Sequence, residues 1–156
     1  MLWSQGLDEI DRPFEESTGI PLLIRYPRRI RAGITIDALI SNVDYAPTLL
    51  SLCGVEGLKG MQGANLASLL TRGRGPSPES VYAEGALGQP QEWRMIVRGS
   101  YKLVVDSALR PTHLYNLRQD PYEQENLAAK PSQSRTRDEL KALLRRWAAR
   151  TGDRVG

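Results

Sequence analysis

The clearest pattern in the chain lies near its C-terminus. Leu140, Leu143, Leu144, Trp147 and Ala148 recur at i, i+3, i+4, i+7 and i+8, the apolar stripe of one helix face. Thr136 and Glu139 stand at capping-box spacing, which predicts a helix over Thr136–Arg150, and Gly152 is placed to end it. Upstream the period shortens to two. Trp93, Met95 and Val97 share one face of a predicted strand over Trp93–Arg98, with Arg94 and Arg98 on the other. A second strand, Tyr101–Val105, follows across Gly99-Ser100, a two-residue hairpin loop. Ser80–Glu84 and Thr112–Leu117 complete a predicted antiparallel β region, and Asp120-Pro121 makes a turn.

The N-terminal half reads differently. Ile20–Tyr26 is apolar without alternation and closed by Pro27, the pattern of a strand buried on both faces of a mostly parallel sheet. A basic turn, Arg28–Gly33, leads to a second extended piece around Ile34–Ile40. Ser41–Asp44 offers capping side chains for a helix over Tyr45–Leu52. Pro47 fits its first turn, Gly54 its left-handed stop, and Ala46, Leu49, Leu50 and Leu52 its buried stripe. A short helix is predicted over Asn65–Leu70. The Gly/Pro-rich loop Arg72–Pro78 is the best internal boundary, dividing the chain at 75.

Composition narrows the chemistry. The chain has 156 residues, 40% hydrophobic and 25% charged, an ordinary globular balance. The longest apolar runs are too short to span a bilayer. Asp8, Glu9 and Asp11 break up the start, so it does not read as a signal peptide, and the chain is expected in the cytoplasm if expressed as it stands. The net charge of +3 is uneven: residues 135–156 carry seven basic and three acidic groups, and the remainder sums to −1. That describes a solvated helix face, with no nucleic-acid module around it and no membrane signal.

Few residues suit catalysis. One cysteine excludes an intrachain disulfide framework, and one histidine excludes any metal site that needs two imidazoles. Cys53 ends the Tyr45–Leu52 helix with no histidine near it in sequence, and reads as a buried free thiol. His113 opens a strand and reads as structural. Asp8, Glu9, Asp11, Glu15 and Glu16 form an acidic cluster that could bind a divalent cation, though solvated loop and first-turn helix is the simpler reading. Spacing alone assembles no active site.

Four stretches, in one order, resemble the sulfatases. They are Pro13-Phe-Glu-Glu-Ser17 with Pro21–Pro27, then Val43–Leu50 with Gly54-Val55, then Met61-Gln-Gly63 with Leu66, Leu69 and Leu70. The last runs Trp93–Arg98, Tyr101–Val104, Leu114–Leu117, Asp120–Glu123 and Asn126-Leu127. The resemblance covers nearly the whole chain and implies an α/β fold. Residues 1–75 would be the edge of an alkaline-phosphatase-like α/β sandwich. Residues 76–156 would be a small C-terminal α+β subdomain, an antiparallel sheet plus the C-terminal helix.

It also implies what is missing. Sulfatases use a formylglycine made from Cys or Ser in a Cys-x-Pro-x-Arg motif, and a divalent metal, commonly Ca²⁺. Attack on sulfur then proceeds while cations absorb charge on the sulfate oxygens. Cys53 is followed by Gly54-Val55-Glu56, so it does not match that motif. Many bacterial members read Met-Leu-Gly-Ser-His-Gly-Leu where this chain has Met1-Leu-Trp-Ser-Gln-Gly-Leu7, with a lysine shortly before Glu-Glu-Ser. By this correspondence Gln5 stands where the sulfate-facing histidine is expected and Ile10 where the lysine is expected. Neither catalytic nor metal-ligating residues are expected in this chain.

Three readings follow from the resemblance. The first is a sulfatase C-terminal part, inactive alone. The second is one piece of a split or truncated active sulfatase that needs its N-terminal portion. The third is a binding or interaction module on the same scaffold. The expected partner is an N-terminal sulfatase portion, or a second copy, meeting the Ile20–Tyr26 run at an uncovered edge.

Overall fold

The structure is a computed structural model and describes residues 12–153. Its centre is a sheet of four strands in the order β1 (Ser80–Gly85), β2 (Trp93–Arg98), β3 (Tyr101–Asp106) and β4 (Pro111–Asn116). β2 and β3 pair antiparallel, closing at Arg98 opposite Tyr101 across Gly99-Ser100. Gly99 there has φ +57°, a left-handed conformation that costs glycine little. β3 and β4 also pair antiparallel, with an irregularity between Val104 and Val105. The Asn126 side chain staples the following loop to β4. Its Oδ1 accepts from the Leu114 N–H at 3.1 Å, and its Nδ2 donates to the Thr112 carbonyl at 2.9 Å.

The strand register sorts the side chains onto two faces. Ile96, Leu103, Val105 and Leu114 pack against Leu140, Leu143 and Leu144 of the C-terminal helix, forming the main core. Met95, Val97, Lys102, Val104 and Tyr115 lie on the opposite face and are buried as well. Pro13 is buried, and the Phe14 ring meets His113 edge-on at 5.8 Å and Tyr115 at 6.5 Å. The first helical turn, α1 (Glu15–Thr18), follows directly. Arg94 shares the α-helical face and is buried, so alternation located the faces but not their burial.

The C-terminal helix runs over Ser134–Thr151 and is preceded by a 3₁₀ turn, Pro131–Gln133. The expected capping box does not form. Proline at the first position of that turn starts the helical path earlier, so Thr136 lies inside the helix and Gln133 is its N-cap. Glu139 instead accepts from Arg135 Nε at 2.9 Å, an i,i+4 pair. Gly152, at φ +75°, ends the helix as expected.

Leu22–Val81 forms a second compact unit, while the described residues up to Pro21 group with those from Tyr82 onward. The strand-and-helix unit thus recruits residues from well ahead of the boundary at 75. The second unit holds a 3₁₀ turn (Asn42–Asp44), α2 (Tyr45–Leu52) and α3 (Ala67–Arg72). Ser41 and Asp44 form the capping box of the 3₁₀ turn. In α2 the buried residues are Thr48 and Leu52, whereas Leu49 is exposed.

The strand expected over Ile20–Tyr26 is absent, as is regular structure over Ile34–Ile40. Nor is the first run buried: Leu23 is 96% exposed and Ile20 60%. An apolar run becomes a strand only when a neighbour takes its backbone N–H and C=O groups. None of the four described strands does so.

Candidate functional site

The most concentrated chemistry among the described residues lies around Lys102. Strand pairing carries this residue into a fully buried position on β3, and an ammonium there needs acceptors. Its Nζ is 2.8 Å from Glu123 Oε1 and 3.0 Å from Glu15 Oε1, and it donates to Thr18 Oγ1 at 3.4 Å. Glu123 is itself buried, and its Oε2 accepts the Glu15 backbone N–H at 2.6 Å. The turn after β4 holds the Glu123 backbone at φ +53°, a left-handed conformation that a non-glycine residue adopts only when its surroundings fix it.

The electrostatics follow from burial. Desolvation pushes the Glu123 carboxyl above the usual carboxylate value, against the opposing pull of Lys102 and the Glu15 N–H. Desolvation and the charge on Lys102 hold His113 below its ordinary value, favouring neutral imidazole. Tyr115 is pushed up to about 12 by burial and by the Glu123 and Asp120 carboxylates. Lys102 has three N–H donors and three acceptors around them. The cluster therefore fastens α1 to the sheet.

A second charged cluster joins β2 to the end of the C-terminal helix. Arg94 donates from Nε to Asp153 Oδ2 at 2.6 Å and from Nη2 to Oδ1 at 2.9 Å, a two-pronged pair. Arg94 also pairs with Glu92, and the Tyr82 hydroxyl donates to Asp153. Hydrogen bonding to Arg94 lowers the Asp153 carboxyl to about 2, while burial and the bond to Asp153 raise the Tyr82 phenol. In the second unit, Asp44 Oδ1 accepts from Ala64 N–H at 2.7 Å and Oδ2 from Ser41 N–H at 2.8 Å. Thr48 Oγ1 accepts from Leu66 N–H at 3.0 Å.

The residues singled out by sequence do not converge. Gln5 and Ile10 lie outside the described residues, as do Asp8, Glu9 and Asp11. Of the acidic cluster, Glu15 is committed to Lys102 and Glu16 is exposed. His113 is half-buried, with Nδ1 3.0 Å from Thr112 Oγ1. Cys53 is exposed, contrary to the expected buried thiol, because α2 ends there and Gly54 turns the chain away at φ +73°. Among the described residues no three His, Cys, Asp or Glu side chains are grouped to hold a metal. Asp44 is occupied by backbone donors. Sequence reasoning passed over Lys102, Arg94 and Glu123. A usable signal was a lone charge inside each apolar strand, since such a charge must find a buried partner once both faces are covered.

Comparison with known proteins gives the arrangement a context. Residues 11–150 match the family described as "N-sulphoglucosamine sulphohydrolase, C-terminal". An N-acetylglucosamine-6-O-sulfatase of Bacteroides thetaiotaomicron is 32% identical over 140 residues, covering 84% of this chain and 25% of the relative. An ulvan-active sulfatase of Formosa agariphila is 30% identical over 156 residues, covering 91% of this chain and 30% of the relative. A solved structure described as in complex with its substrate D-glucosamine-2-N,6-O-disulfate superposes with a TM-score of 0.73 at 28% identity. The match covers 83% of this chain and 28% of that one. The chain thus spans a quarter to under a third of the length of these relatives.

Proposed function

The chain belongs to the sulfatase C-terminal family, and from that premise we propose that it is the C-terminal part of a sulfatase-like sulfuric ester hydrolase, inactive on its own. The observation that carries this reading is the family match over residues 11–150, within relatives more than three times as long. The sequence supports it from the chemical side. Sulfate ester hydrolysis in the family needs a formylglycine and a divalent cation. The only cysteine stands ahead of Gly54-Val55-Glu56, and Gln5 and Ile10 replace the sulfate-facing His and Lys of the resemblance. A group that must act in concert with others supplies little once they are gone.

On this reading the strand-and-helix unit is a buttress. Lys102 and Glu123 hold α1, which begins five residues after Ile10 in sequence. The exposed apolar residues Ile20, Leu22 and Leu23 meet the N-terminal sulfatase portion, whose strands would take the backbone donors and acceptors there. For the whole protein the proposed substrates are sulfated saccharides, the class carried by the names of its relatives.

The purified chain is expected to hydrolyse no aryl sulfate above the blank, with or without added Ca²⁺. Metal-dependent turnover that a chelator abolishes would overturn the proposal.

A further inference from the structure

We propose that the arginine-rich turn at residues 25–31 is a non-catalytic binding site for sulfated polysaccharide. Arg25, Arg28, Arg29 and Arg31 fall within seven residues, and no acidic residue occurs between Glu16 and Asp37. All four are exposed. The turn has a fixed shape: the Tyr26 carbonyl accepts from the N–H groups of both Arg29 (3.0 Å) and Ile30 (2.8 Å). Pro27 sets φ at the step between them. Arg29 anchors the turn by donating from Nη1 to the Leu52 carbonyl at 3.1 Å. Arg25, Arg28 and Arg31 have no hydrogen-bond or ion-pair partner among the described residues.

A fixed turn bearing three unpaired guanidinium groups, with no carboxylate beside it in sequence, suits a chain of repeated anions. Guanidinium presents a planar fork that fits two oxygens of one sulfate and is desolvated more readily than ammonium. The other basic segment, the C-terminal helix, is a poorer candidate because Asp138 and Glu139 lie among its basic residues and half of those are engaged. Arg135 is paired with Glu139, Arg137 donates to the Ala128 carbonyl, and Arg150 lies over the Trp147 ring. Duplex DNA is the less favoured polyanion, because no recognition module accompanies the turn. The choice of sulfate over other anions rests on the function proposed above; the site itself rests on the turn.

The test is equilibrium binding of the full chain to dextran sulfate, with unsulfated dextran, polygalacturonate and duplex DNA as comparison polymers. Dextran sulfate is expected to bind in a salt-dependent way and the unsulfated polymer not at all. Substituting Arg25→Ser, Arg28→Ser and Arg31→Ser together is expected to weaken binding about tenfold or more, from the loss of three charge-assisted contacts. Arg29 stays in place to keep the turn anchored. Arg28→Ser alone, expected to give a smaller loss, serves if the triple variant fails to fold by circular dichroism. Arg145→Ser with Arg146→Ser is expected to change nothing.

Undiminished binding by the folded variants, or a loss traced to the helix pair, overturns the site. Equal affinity for polygalacturonate or DNA overturns the assignment to sulfate. Because the readout is binding, these failures are separate from any finding about hydrolysis.

Discussion

Lys102 is fully buried, yet it carries a charge near the start of a β-strand. Its partners decide whether that is tolerable. Two carboxylates and a hydroxyl surround the ammonium, and Glu123 is buried on the same site. Removing one member of such a pair leaves an uncompensated buried charge, which costs more than the intact pair contributes. Glu123→Leu is expected to lower unfolding stability by about 3 kcal/mol, read from urea denaturation of the whole chain, because the Lys102 ammonium and the Glu15 N–H both lose an acceptor. Combining it with Lys102→Met is expected to cost less than the sum of the two single changes, as for groups that interact directly.

Asp153 and Glu123 titrate with opposite sign. Asp153 is lowered from 3.8 to about 2 in the folded protein, so the folded state favours its ionised form. Its contribution, about 2 kcal/mol, is present above pH 4 and is lost as the pH falls toward 2. Glu123 is raised instead, so its contribution is greatest when protonated and declines as the pH rises through its folded value. Asp153→Asn is expected to flatten the acid limb of a stability–pH curve between pH 4 and 2 and to lower stability at neutral pH.

At the scale of elements, the second unit depends on a close crossing of loop and helix start. A Cβ on Gly63 would stand 2.0 Å from the Val43 carbonyl oxygen and 2.4 Å from its carbon, both backbone atoms. Alanine there must push the 3₁₀ turn away from the loop that feeds α3. That would break the 2.7 Å bond from the Ala64 N–H to Asp44. Gly63→Ala is expected to destabilise this unit by about 2 kcal/mol or more. Hydrogen exchange should quicken in α2 and remain slow in β3, whose amides belong to the other unit.

At the scale of the whole molecule, the chain presents apolar surface at Ile20 and Leu22, and above all at Leu23, beside unpaired backbone. Such surface tends to find a cover. The isolated chain is expected to self-associate in the micromolar range by light scattering, and Leu23→Lys to shift it toward monomer. A side chain 96% exposed leaves the fold little to lose from the change. An added N-terminal sulfatase portion is expected to have the same dispersing effect by covering the run.

What the sequence by itself determined was local and periodic. The i, i+3, i+4 stripe placed the C-terminal helix, alternation placed the strands around Gly99-Ser100, and glycines at 54, 99 and 152 marked left-handed stops. The ordered motifs marked the sulfatase C-terminal family across nearly the whole chain. Only the tertiary structure decided which charges are buried. Arg94 and Lys102 look like ordinary strand residues until both sheet faces are covered, one by the helix and the other beside Phe14 and α1. It also decided that Ile20–Tyr26 forms no strand, against a pattern that asks for one. Side-chain period is a property of the segment, whereas burial and backbone pairing belong to whatever lies against it. No residue in a run specifies its neighbour.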